Sequence, residues 1–326
     1  MDTASRSALL VAAMDRHAAC PAEDVEAQDG VLREIVRLDP RQEWAWFDLG
    51  LHAKWRRDWA ACRRYNEQAL STAGVLVGNP AAWNLGIAAT ALGDLAIARR
   101  AWSAFGVTLP TGNPPMGNDP TGSPHPGDTP GTAPDAGLGP TPVRLNPDPR
   151  FPGQSPLVID GRFGKTEVVW CRRLCPARAV VTNVPFPESG HRFGDVVLHD
   201  GEPVGERTVD GRAYPVFDEL DRLVDSSLPT LVVSVRCPLP DDAEALSTAF
   251  REAELAAEDW TASPEALCDA CVGGGACREH GSAGGTSWES DRSFGLAAPE
   301  FTAAGILAQW RAAGPGRGHG VPERVL

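Results

Sequence analysis

The sequence predicts a multidomain chain: an all-α domain of helical repeats, a disordered Pro/Gly linker and a small α+β domain. Three observations predict it. Leu49-Gly50 recurs 36 positions on as Leu85-Gly86, Ala53 as Ala89, Trp59 as Leu95, Cys62 as Ala98 and Ala69 as Phe105. A fixed period of that length marks a repeat architecture, in which each unit buries its apolar face on the next. Residues 111–157 then change character, and Thr111 to Pro142 is dominated by Pro and Gly. Beyond them, short β-branched runs are punctuated by Asp-Gly dipeptides, which accept positive φ and favour hairpins.

Composition narrows the function classes. The 326 residues are 42% hydrophobic with a net charge of −13. That charge argues against a phosphate-binding nucleic-acid protein and against anionic membrane surfaces. No run of about 18 apolar residues is present to span a bilayer. The N-terminus has no basic region ahead of a long apolar core, so a cytoplasmic location is expected.

The first domain is assigned to residues 1–110. Residues 5–38 read as two helices broken at Cys20-Pro21-Ala22. The second stops at Asp39-Pro40, because a proline nitrogen cannot donate and its ring clashes with the preceding turn. Residues 43–74 and 79–110 read as two helix pairs. Leu85-Gly86, Ala89, Gly93, Leu95, Ala98, Trp102 and Pro110 form one pattern; Trp46, Leu49-Gly50, Ala53, Trp59, Cys62 and Ala69 form another. Small residues let helices approach, and large ones fill the gaps between pairs.

This pattern resembles the tetratricopeptide repeat, with two good repeats and a degenerate first one. The chain as a whole resembles bacterial tetratricopeptide proteins with a C-terminal α+β Cys/His domain. The resemblance implies a concave face lined by the first helix of each pair. There it implies Asp48, His52, Asn84 and Ala88 as partner-binding candidates, with Asn84 able to grip a peptide backbone; an ordinary exposed amide is its alternative. Trp46, Trp59, Trp83 and Trp102 read as packing residues.

Residues 111–157 are expected to be a disordered tether, since they bury too little apolar surface to offset chain entropy. Residues 158–282 read as α+β. Val168–Trp170, Ala179–Val181, Val196–Leu198 and Leu231–Val235 suggest strands. Phe217–Val224 suggests a short helix. A second helix opens at Pro240, with Asp241 as N-cap and Glu244 in the capping-box place. A return strand near Glu258–Ala262 would complete a ferredoxin-like or related sandwich. Residues 283–326 are read as a mostly flexible tail with one helix near 299–313, which would cap the repeat array.

Chemistry concentrates in two places. Cys268, Cys271, Cys277 and His280 have the spacing C-x2-C-x5-C-x2-H. Two close pairs across a glycine turn can supply the tetrahedron that zinc takes. Four protein ligands leave no open position, so the zinc would be structural; a redox or inert cysteine cluster is the alternative. Glu188, His191, Asp195, His199 and Asp200 share a polar, turn-rich segment. They suggest an acid/base or metal cluster, with His191, Asp195 and His199 as catalytic candidates. Side chains that merely cap a turn are the alternative. Walker, dinucleotide and nucleophile-elbow motifs are absent. The reading that results is a protein–protein interaction adaptor or scaffold. An enzyme built around His191, Asp195 and His199, and an acidic regulator or immunity-type inhibitor, are the alternatives.

Overall fold

The computed structural model describes residues 2–109, 138–209, 211–261 and 288–326. It divides into two units: Met1–Thr111 with Asp148–Pro156, and Gly112–Pro147 with Leu157–Leu326.

The first unit holds six helices: α1 (Thr3–Ala19), α2 (Val25–Leu38), α3 (Glu43–Trp55), α4 (Trp59–Thr72), α5 (Pro80–Ala91) and α6 (Leu95–Phe105). Five of them start at a side-chain cap. Asp2, Asp24, Asp58, Asn79 and Asp94 accept from the backbone N–H of Ser5, Ala27, Ala61, Ala81 and Ile97, satisfying donors that the first helical turn cannot pair. Each helix packs on the next in sequence. The repeated Leu-Gly pair has a steric cause. A Cβ on Gly50 would meet the Asn66 amide at 2.5 Å, and one on Gly86 would meet the Trp102 ring at 2.5 Å. Asn66 and Trp102 are themselves 36 apart. The glycine is therefore a hollow that admits an inward side chain of the partner helix.

The second unit is mixed. β1 (Pro140–Leu145), β2 (Glu167–Cys175), β3 (Arg178–Val181), β4 (Val196–Val209) and β5 (Arg212–Val224) close into a barrel. Its pairings are antiparallel except the closing seam, where β1 runs parallel to β5 at Val143↔Phe217 and Arg144↔Asp218. Val143, Leu145, Val169, Cys171, Ala179, Val181 and Val197 fill the interior. Register shifts along β4 and β5 bend these long strands round the barrel. A second sheet follows, in the order β10-β6-β8-β7, from β6 (Thr230–Arg236), β7 (Ala256–Asp259), β8 (Asp291–Ala297) and β10 (Glu323–Arg324), with β9 (Gly318–His319) also on β6. Helices α7 (Pro240–Glu252) and α8 (Glu300–Ala312) cover one face through Leu246, Phe250, Leu307 and Trp310. The other face carries Val232, Ala297 and Trp260 against Val184, Phe186 and Phe193.

This overturns the expected fold class. The chain is a mixed α/β protein, with two sheets among the described residues, not an all-α repeat region followed by a small domain. Four features carry the correction. Residues 140–145, read as linker, form the closing barrel strand. Phe217–Val224, read as a helix, belongs to β5. The barrel replaces the ferredoxin-like sandwich. The segment read as a tail supplies β8, α8, β9 and β10, and α8 packs on the second sheet. The N-cap of α7 also moves to Leu239, whose N–H donates to Asp242.

A methyl group separates the two kinds of glycine in the helical unit. Gly86→Ala is expected to lower stability by about 1–3 kcal/mol through overpacking against Trp102. Gly30→Ala, in α2 with nothing within 4 Å, is expected to raise it by about 1 kcal/mol through helix propensity. Urea unfolding followed by far-UV circular dichroism reads both, and equal effects at the two positions would contradict the packing account.

Candidate functional site

The turn-rich segment is bound into one end of the barrel. A short 3-10 turn, Pro187–Ser189, leads into Gly190 at φ 76°. Asn146, just after β1, donates through Nδ2 to the Ser189 carbonyl at 2.9 Å and to the Lys165 carbonyl at 3.1 Å. Asp195 accepts from the N–H of Arg192 at 2.9 Å and of Ser226 at 2.7 Å. Arg222 donates to the Gly190 carbonyl at 3.0 Å and lies 3.6 Å from Asp195 Oδ2.

His191 sits at the centre of this arrangement with no exposed surface. Its Nδ1 is 3.3 Å from Asp195 Oδ2, and its Nε2 is 3.1 Å from Glu219 Oε2. The Glu219 oxygen also accepts from Asn146 N–H at 2.9 Å. Both contacts are ion pairs when the ring is protonated. Burial works to depress the imidazole, but the Glu219 and Asp195 carboxylates outweigh it and hold His191 at about 9, a cation between two anions.

His199 behaves in the opposite sense. It lies on β4 opposite Glu219 and is fully buried. Its Nδ1 lies 2.7 Å from the Asp200 carbonyl; a carbonyl only accepts, so Nδ1 carries the proton. Burial pushes it down to about 4, so it is neutral, and its Nε2 has no partner. The structure therefore joins His191 to Asp195 and leaves His199 turned to its own backbone. Glu188 engages through its carbonyl, which accepts from Lys165 N–H at 2.9 Å. Sequence reasoning missed Glu219, Asn146 and Arg222, which complete the cluster. It also missed Glu167, which burial raises to about 7 against the Ser189 hydroxyl and Phe186 N–H that favour its charged form.

Three of the four helical candidates are buried and the fourth is half-buried. His52 is buried, with Nδ1 2.7 Å from Asp29 Oδ1. Burial alone would raise the Asp29 carboxyl, yet the His52 bond and the charges of Arg56 and Arg33 leave it below the usual range. Asn84 is buried, its Oδ1 3.4 Å from Lys54 Nζ. Ala88 is wholly buried beside Ala53, Ala61 and Cys62. Asp48 is half-buried, and desolvation raises its carboxyl despite His52 and His17.

Cys268, Cys271, Cys277 and His280 lie outside the described residues, as does 110–137 of the expected linker. Among the described residues no group of three or more His, Cys, Asp or Glu side chains is placed to hold a metal ion. No helix among them is long and apolar enough to cross a membrane. A concavity of about 550 Å³ opens on the second sheet among Ser234, Arg236, Thr261, Ser293 and His319; it contains none of the sequence candidates. No family model, curated protein or solved structure matches the chain.

The His191 cluster makes a prediction with a definite sign. The folded value near 9 lies above the ordinary 6.5, so the cluster's stabilisation is complete below pH 6.5 and is lost as pH rises through 9. His199, depressed to about 4, adds a loss of stability as pH falls from 6.5 towards 4. Denaturation across pH 4–10 should show both limbs. His191→Gln should remove the alkaline limb and cost about 3–5 kcal/mol at pH 7, because the carboxylates lose their cation. An NMR titration placing His191 near 6.5 would refute the assignment.

Proposed function

We propose that the chain is a protein–protein interaction adaptor or scaffold acting in the cytoplasm, and that its first unit supplies a contact surface. One observation carries the reading. Val75, Leu76 and Val77, in the connection between α4 and α5, are 69%, 44% and 72% exposed. They are consecutive, so their apolar surface is continuous, and the loop that presents them is pinned. Gly78 N–H donates to the Phe105 carbonyl at 2.8 Å, and Asn79 Nδ2 donates to Glu43 at 2.8 Å and to the Val75 carbonyl at 3.1 Å. An apolar ridge on a pinned loop suits a partner, because less backbone ordering entropy is lost on docking. Burying one such side chain fully is worth about 1.5–3 kcal/mol.

The test is a photo-reactive amino acid at Leu76, activated in the native host. Discrete adducts are expected at Leu76 and not at an equivalent probe on Glu67. They should disappear in Val75→Asp/Val77→Asp chains of unchanged helicity. Adducts that are absent, or that survive the double substitution, would end this reading.

The same proposal takes Cys268, Cys271, Cys277 and His280 as ligands of a structural zinc. The ends of the connection that carries them are fixed. Trp260 N–H donates to the Ser293 carbonyl at 2.9 Å, and Ser293 N–H to Thr261 Oγ1 at 2.7 Å. Metal analysis of purified protein should find one zinc per chain and none in Cys268→Ser/Cys271→Ser, which should also unfold at lower temperature. A metal-free wild type would remove zinc from the account.

A further inference from the structure

The first unit already holds a peptide, and the peptide is its own. Between β1 and β2 the chain contributes Asp148–Pro156 to the helical unit. Phe151 to Gln154 form a turn, with Gln154 N–H donating to the Phe151 carbonyl at 3.0 Å and Gly153 at φ 70°. Pro152 followed by Gly153 is the pairing a type II turn requires. The turn presents Phe151 to Trp55 at the end of α3, where the rings stack with centroids 4.7 Å apart and planes 7° apart. His52 lies 5.4 Å from Trp55, centroid to centroid. Gly153 comes against Val25, close enough that a Cβ would approach it at 3.1 Å.

Beyond the turn, recognition passes to the backbone. Ser155 N–H donates to the Trp55 carbonyl at 3.0 Å. Arg57 Nη1 donates to the carbonyls of Ser155 at 2.8 Å and Pro156 at 2.7 Å. These bonds read main chain and so do not depend on which residues follow the aromatic turn.

Arg57 marks the place as more than incidental packing. Its φ is 57°, a left-handed conformation that glycine adopts freely and other residues rarely do. The residue 36 positions later, in the corresponding turn between α5 and α6, is Gly93 at φ 74°. One turn of the pair thus carries the residue its backbone favours. The other carries an arginine whose guanidinium grips two carbonyls. A strained residue held at a contact is an observation from which function can be argued.

We propose that Trp55 and Arg57 form a peptide clamp whose resting occupant is Asp148–Pro156. In trans the clamp takes a segment of the same chemistry: an aromatic residue opening a Pro-Gly turn, followed by two successive free carbonyls. The tethered segment competes from a local concentration on the order of millimolar, so a partner gains access in proportion to the time the clamp stands open. This site is separate from the Val75–Val77 ridge, and its failure leaves that reading standing.

A fluorescent peptide copying Asn146–Leu157, titrated into the full chain, tests it. Phe151→Ala should bind the peptide at least about tenfold more tightly than wild type. Ser155→Pro, which removes the N–H given to Trp55, should act likewise and serves if Phe151→Ala misfolds. Adding Arg57→Gly to either should abolish the gain at undiminished helicity, since glycine relaxes the backbone there. Equal binding by wild type and both opened chains, or tight binding that survives Arg57→Gly, would overturn the proposal.

Discussion

The closure of the barrel brings buried acids together, and a histidine lies between two of them. The β1–β5 seam is short, and its flanking side chains do much of the joining. Arg144 holds Asp218 through two bonds of 2.6 and 2.8 Å, the bidentate geometry that makes such pairs strong. One step on, Glu219 accepts from the Asn146 backbone. Glu219 is almost wholly buried, and so is Asp195. Two carboxylates enclosed together repel each other and lose their hydration, a cost that only cations or donors can offset. Arg222 stands beside Asp195, and His191 stands between Asp195 and Glu219. The seam, the Pro187–Asp195 segment and the end of β5 are therefore fixed by one ion network.

The helical unit rests on a different constraint, the hollow left by a missing Cβ. Gly50 and Gly86 admit Asn66 and Trp102, and Trp83 meets both Trp102 and Phe105 edge to face. Where the hollow receives Asn66, the amide turns back to the Cys62 carbonyl at 2.8 Å. The two halves share a spacing and fill it with opposite chemistry, which is why the residue-by-residue repeat is weaker than the geometric one.

The helices were legible because their caps and small residues act over short distances along the chain. The barrel was not, and the reasons lie in particular residues. Phe217, Leu220, Leu223 and Val224 fall at helical spacing, but in β5 the alternating pattern is hidden by Asp218 and Glu219, buried acids that Arg144 and His191 neutralise. Strand period is readable when polar residues face water; here the polar residues face ionic partners contributed by distant segments. β1 was hidden by Pro140 and Pro142, which read as linker, yet a proline whose missing N–H falls outside the ladder is tolerated in a strand. β9 and β10 are two residues each, too short for any pattern. Of the candidate site, His191 and Asp195 were found because they share a turn. Glu219 was not, because it comes from a strand mistaken for a helix.

Strain and buried charge fall at different places in the chain. Catalytic groups are held near the reacting atoms and keep a lone pair or proton available. Here His191 is enclosed between two carboxylates with no exposed surface, and His199 is enclosed with its Nδ1 proton donated to the Asp200 carbonyl. Both are arranged as parts of the barrel's interior. The left-handed arginine lies elsewhere, at Arg57, and costs on the order of 1–2 kcal/mol. Glycine in the sister turn avoids that cost. The arginine gives two bonds to main-chain carbonyls, which are groups every peptide possesses. The turn that accepts this strain holds main chain, and the segment it holds supplies an aromatic ring and two successive carbonyls.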